Sequence, residues 1–160
     1  MATKYYYLDG NVVVRHRRDT LIDRMSAREI ELKDGTIITH PSLIERDTHF
    51  GMENDAKIQL VERRVCRYTA TGIVRIPTPL ERTRCRKPTV YYYVNGKVKT
   101  RLRTILERNT GREIEIRDGS IHIHPSVEDV NRDIRIREEI ESQFIALGIC
   151  HIVDGKLHYV

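Results

Sequence analysis

The chain of 160 residues has no tryptophan, only two phenylalanines and only three cysteines. Cys66, Cys85 and Cys150 are odd in number and widely spaced, which excludes a disulfide framework and a zinc knuckle. Glycine-rich phosphate loops, zinc-finger spacings and nucleophile elbows are absent as well. No apolar run approaches the roughly 18 residues that a bilayer span requires. The segment Met1-Ala2-Thr3-Lys4-Tyr5 lacks the apolar core of a signal peptide. These absences set the expectation of a cytoplasmic protein with no membrane partner and no cofactor.

What is present is a mixed, charged surface: hydrophobic residues make up 39% and charged residues 32%, the balance of a folded chain and not a disordered one. The net charge of +5 is unevenly placed. Residues 1–76 carry 13 basic against 11 acidic side chains, and residues 90–160 carry 11 of each. Residues 77–89 carry four basic against one acidic, so the excess concentrates in a short segment.

An internal repeat organises the rest. Shifted by 84 positions, Arg28–Ser42 falls on Arg112–Ser126 with ten of 15 residues identical, where chance supplies about one. The same shift pairs Thr20 with Thr104, Arg24 with Arg108, Gln59 with Gln143 and Cys66 with Cys150. Upstream the shift becomes 86, pairing Tyr5-Tyr6-Tyr7 with Tyr91-Tyr92-Tyr93. A period this long implies a duplicated small domain and not a solenoid. The expected organisation is a first β-rich module at 1–76, a basic proline-containing linker at 77–89, and a second module at 90–160.

Each copy reads as ββ-ββ-α-ββ, an α+β, β-rich antiparallel module built from hairpins with one helix. Asp9-Gly10, Asp34-Gly35, Asn95-Gly96, Asp118-Gly119 and Asp154-Gly155 sit between β-formers, the signature of type I′ turns. A short turn or single helical turn is expected at Thr20–Asp23 and Thr104–Glu107. Ile136, Ile140, Phe144 and Leu147 recur at helical spacing before Gly148. Met52, Ala56 and Leu60 give the first copy a weaker stripe. The third hairpin of the first copy has a looser Thr71-Gly72 turn.

Two-residue turns fix the register and therefore the faces. Leu32 with Ile37, Ile116 with Ile121 and Ile114 with Ile123 define a core face. The opposite face sets Glu29 against His40, Glu113 against His124 and Glu115 against His122. Such pairs offer weak acid–base candidates in His40, His124, Glu29 and Glu113, and His122 with His124 offers two metal ligands. Paired charges on a solvated sheet are the better account of them, and no triad completes them. The expectation is therefore no catalytic and no metal site.

The first hairpin is more informative. Tyr91, Tyr93 and Val98 share one face, as do Tyr5, Tyr7, Val12 and Val14 in the first copy. Tyr92, Lys97 and Lys99 occupy the other, and a continued strand adds Arg101 and Arg103. Alternate residues stand roughly 6.6 Å apart, a spacing suited to a phosphate backbone, with Tyr92 placed to stack a base. The first copy matches in part through Tyr6, Arg15, Arg17 and Arg18. Arg82, Arg84, Arg86 and Lys87 of the linker form the second cationic element.

The leading expectation is a non-enzymatic, mostly sequence-independent nucleic-acid-binding protein that contacts the phosphate backbone. The alternatives are a protein-interaction or assembly module with pseudo-twofold symmetry, and a small hydrolase or nuclease using the Glu–His pairs.

Overall fold

A computed structural model describes residues 3–14, 20–77 and 89–160. The chain runs β1 (Tyr5–Leu8), β2 (Asn11–Val14), α1 (Leu21–Ser26), β3 (Arg28–Lys33), β4 (Thr36–Thr39), α2 (Leu43–Glu62), β5 (Cys66–Thr69) and β6 (Gly72–Arg75). The same order then recurs as β7 (Tyr91–Val94), β8 (Lys97–Lys99), α3 (Ile105–Thr110), β9 (Arg112–Arg117), β10 (Ser120–Ile123), α4 (Val127–Ala146), β11 (Cys150–Val153) and β12 (Lys156–Tyr159). The fold is α+β, and every strand pair among the described residues is antiparallel. Among those residues no helix is long and apolar enough to cross a membrane.

The hairpins form where local chemistry demands them. In all five Asp-Gly or Asn-Gly turns both residues have positive φ, for example 48° at Asn95 and 79° at Gly96. The third hairpin of the first copy departs from the expected turn: Ala70 and Thr71 make it, and Gly72 is already the first residue of β6. Among the described residues each copy holds two helices, where one was expected. The expected single turns extend into the six-residue α1 and α3, whose Asp23 and Glu107 amides donate to the cap hydroxyls of Thr20 and Thr104.

The chain separates into two compact units that are not the two sequence copies. One comprises Met1–Thr48 with Asn131–Val160, and the other His49–Val130. In the latter, the sheet β10-β9-β7-β8 comes from the second copy. Ala56 and Leu60 of α2 and Cys66 and Ile73 of the β5–β6 hairpin, all from the first copy, complete its core with Tyr91, Tyr93, Val98, Ile114, Ile121 and Ile123. In the other unit, the sheet β2-β1-β3-β4 is closed by Ile140, Phe144, Cys150 and Leu157 of the second copy, packed on Ile30 and Ile37. Tyr5 meets Phe144 edge-on there, ring centroids 5.2 Å apart.

Polar contacts follow the same exchange. Gln59 accepts from the Val98 amide and donates to the Gly96 carbonyl, both at 2.8 Å. Gln143 does the same for Val12 and Gly10, both at 2.7 Å. The exchange runs through the long helices. Each is an unbroken 20-residue helix with no interior proline, about 30 Å long.

The register and core faces are as the turns imply, with Leu32 opposite Ile37 and Ile114 opposite Ile123. Cys66 and Cys150 are buried small residues, and burial pushes both thiols above their ordinary pKa. Leu147 is the exception in the α4 stripe. It follows the last helical residue, stands exposed, and precedes Gly148 at a φ of 73°.

Candidate nucleic-acid interface

The β7–β8 hairpin buries Tyr91 and Tyr93, so the alternation of a strand turns Tyr92 to the opposite face, across from Lys99. The row of four cations expected there does not form as a row. Strand β8 ends at Lys99, and the Lys99 ammonium closes on the Glu107 carboxylate. Glu107 also accepts the Arg103 backbone N–H at 2.8 Å. Hydrogen bonding from Lys99, then from that amide, holds its carboxyl below the usual range. One cation is thereby neutralised. Lys97 stays exposed on the strand, opposite Val94.

Beyond Lys99 the chain turns out of the sheet and opens a groove of about 510 Å³ lined by Tyr92, Thr100, Arg101, Leu102, Arg103 and Arg108. Among the described residues no carboxylate lies within ion-pair distance of the Arg101, Arg103 or Arg108 guanidinium groups. Arg108 was not among the expected binding residues. Its signal was available, since the repeat keeps the same residue at Arg24.

The other expected cations are placed unevenly. Arg15, Arg17, Arg18, Arg82, Arg84, Arg86 and Lys87 lie outside the described residues, as do Cys85 and nearly all of the linker. Tyr6, the first-copy counterpart of Tyr92, is buried at 7% exposure and offers no open ring face.

The Glu–His faces keep their backbone register but change partners at the side chains. The Glu29 and Glu113 carbonyls accept from the His40 and His124 amides at 2.9 Å, and His122 pairs with Glu115. The imidazoles instead reach diagonally: His40 bonds Glu31 at 2.8 Å and His124 bonds Glu115 at 2.7 Å. Diagonal neighbours on a twisted sheet are within reach of long side chains. Glu29 faces Lys4 at 3.8 Å, and the His122 ring meets the Ser120 hydroxyl at 3.1 Å. The hydrogen bond from His124 lowers the Glu115 carboxyl. Among the described residues no group of three His, Cys, Asp or Glu side chains is arranged to hold a metal.

A repeated network went unanticipated. Ser42 and Glu45 cap α2 reciprocally, each amide bonding the other's side chain at 3.2 Å, and Arg28 grips Glu45 with two nitrogens at 2.6 and 2.7 Å. Ser126, Asp129 and Arg112 repeat this at α4, with Arg112 to Asp129 distances of 2.7 and 3.1 Å. Burial opposes ionisation of Asp129, but Arg112 and the Ser126 amide outweigh it and bring the carboxyl down to about 2. The Ser-x-x-acid spacing after a proline was the available signal. Its role is to fasten each long helix to the strand that carries the arginine.

Comparison with protein-family models, with curated proteins and with solved structures finds no match. The functional reading therefore rests on the groove.

Proposed function

We propose that this protein binds single-stranded nucleic acid non-enzymatically through the Tyr92 groove. The observation that carries this reading is the convergence of Arg101, Arg103 and Arg108, without carboxylate partners among the described residues, around a half-buried tyrosine. Guanidinium groups in a groove track phosphates, and an aromatic face stacks any base, so the binding is largely independent of sequence.

The test is the affinity for an oligothymidylate measured by fluorescence anisotropy over a salt series. Three phosphate contacts imply a logarithmic salt slope of about −2, or roughly a twenty-fold loss of affinity between 50 and 200 mM salt. The triple variant R101E/R103E/R108E retains its fold and loses binding. Binding insensitive to salt, or undiminished in that variant, overturns the reading.

A further inference from the structure

Helices α1 and α3 carry a feature that packing does not explain. Neither has a buried residue. Yet each presents two large aliphatic side chains to solvent: Leu21 and Ile22 at 66% and 72% exposure, Ile105 and Leu106 at 72% and 65%. A single exposed leucine is ordinary. An adjacent pair that stays apolar and exposed in both copies is not.

The motif around each pair repeats as well. Thr20-Leu21-Ile22-Asp23-Arg24 matches Thr104-Ile105-Leu106-Glu107-Arg108, with the cap threonine and the arginine identical and the apolar and acidic positions conserved in kind. In both, the threonine hydroxyl accepts the amide three residues on, at 3.0 Å. The pair is thus held on a capped turn. In α3 it is bracketed by the groove residues Arg103 and Arg108, and Ile105 shares a helix face with Arg108 three residues on. An apolar tip flanked by two arginines without carboxylate partners among the described residues suits a polymer that combines phosphate charge with flat apolar faces.

We infer that Ile105 and Leu106 form an apolar wedge that packs against nucleobases of the strand held in the Tyr92 groove. This rests on the proposed function and adds an aliphatic base contact to the stacking on Tyr92 and the phosphate contacts. Arginine beside an inserted aliphatic side chain is the chemistry by which proteins unstack bases. Strands without bases then lose a defined part of the affinity.

The experiment compares a 20-nucleotide oligothymidylate with an abasic 20-mer of the same phosphate number, using the full chain. Wild type is expected to bind the thymidylate about tenfold or more tightly than the abasic strand. I105S/L106S is expected to lose most of that preference and keep its affinity for the abasic strand. L21S/I22S serves as the control for loss of an exposed aliphatic pair and is expected to keep the wild-type preference. Both variants replace exposed groups, and an unchanged thermal midpoint verifies the fold. If wild type binds neither strand, the proposed function itself fails. If I105S/L106S keeps the wild-type preference for the thymidylate, only the wedge fails; if wild type itself shows no preference, base stacking on Tyr92 fails with it. Phosphatidylserine vesicles serve as the third arm: vesicle binding that the serine variants abolish, with thymidylate affinity unchanged, assigns the pair to a lipid surface and overturns the inference.

Discussion

Gln59 accepts a hydrogen bond from the Val98 amide at 2.8 Å, although the two residues belong to different copies of the repeat. Its amide nitrogen simultaneously holds the Gly96 carbonyl, so one side chain satisfies both backbone groups at the end of a hairpin. Replacing it leaves Val98 N–H without a partner at a half-buried site. Gln59→Ala is expected to cost about 1–3 kcal/mol, read as a lower urea midpoint at unchanged m-value. Gln143→Ala, which frees Val12 and Gly10, is expected to behave alike.

The exchange has a sharper consequence for fragments. Residues 49–130 hold a complete core in one continuous stretch, whereas 90–160 has its sheet but lacks Ala56, Leu60, Cys66 and Ile73. The fragment 49–130 is expected to fold cooperatively as a monomer. The fragment 90–160 is expected to be unfolded or to pair with a second copy of itself. Circular dichroism with analytical ultracentrifugation checks both, and a stable monomeric 90–160 fragment refutes the exchange.

Why the exchange was illegible in the sequence follows from the repeat itself. Gln59 and Gln143, Asp55 and Glu139, and Tyr7 and Tyr93 are equivalent pairs. A helix therefore finds the same partners on either sheet, and composition, spacing and register are identical for the two arrangements. The Asp-Gly and Asn-Gly turns were legible because two residues determine their own φ, and the core faces because the turns then fix the register. The candidate site was legible in part. Tyr92, Arg101 and Arg103 were readable from the hairpin. The Lys99–Glu107 pair, the diagonal His40–Glu31 contact and the burial of Tyr6 depend on where the chain leaves the strand and how the sheet twists.

The Arg112–Asp129 pair makes stability depend on acid. Asp129 titrates near 2 in the fold against 3.8 ordinarily, and Glu45 is shifted in the same direction by Arg28. A depressed carboxyl contributes stability that is complete above its unfolded pKa and is lost as pH falls through the folded one. Loss is therefore expected between about pH 4 and pH 2, amounting to roughly 1–2 kcal/mol for Asp129 at its partly exposed position. Asp129→Asn removes most of that dependence, which urea titrations at pH 2.5, 4 and 7 would show.

Two tyrosines give the opposite limb. Burial, reinforced by Asp55 at 2.7 Å, pushes the Tyr93 hydroxyl up to about 12, and burial with Glu139 does the same for Tyr7. A raised pKa contributes stability that is complete below about 10 and lost as pH rises through 12. Absorbance titration at 295 nm is expected to show a late component that includes both of these tyrosines. Tyr93→Phe and Tyr7→Phe should each remove one, and an unchanged late component in either variant refutes the assignment.

The docking of the β5–β6 hairpin on the β9–β10 turn can be isolated with two glycines. Gly119 has a φ of +79°, its carbonyl accepts from Ile73 N–H at 2.8 Å, and an added Cβ would collide with the Thr71 carbonyl and crowd the Gly72 Cα. Gly155, in the equivalent kind of turn, has a φ of +77° and open space where its Cβ would stand. Gly155→Ala therefore incurs only the left-handed backbone penalty, about 1–2 kcal/mol. Gly119→Ala incurs that penalty together with displacement of a backbone hydrogen bond, so it is expected to be more destabilising by a further 1–2 kcal/mol or so. Amide exchange at Ile73 should accelerate in Gly119→Ala beyond the change in global stability and should track global stability in Gly155→Ala. Equal effects of the two substitutions would show that the hairpin is not seated on the turn.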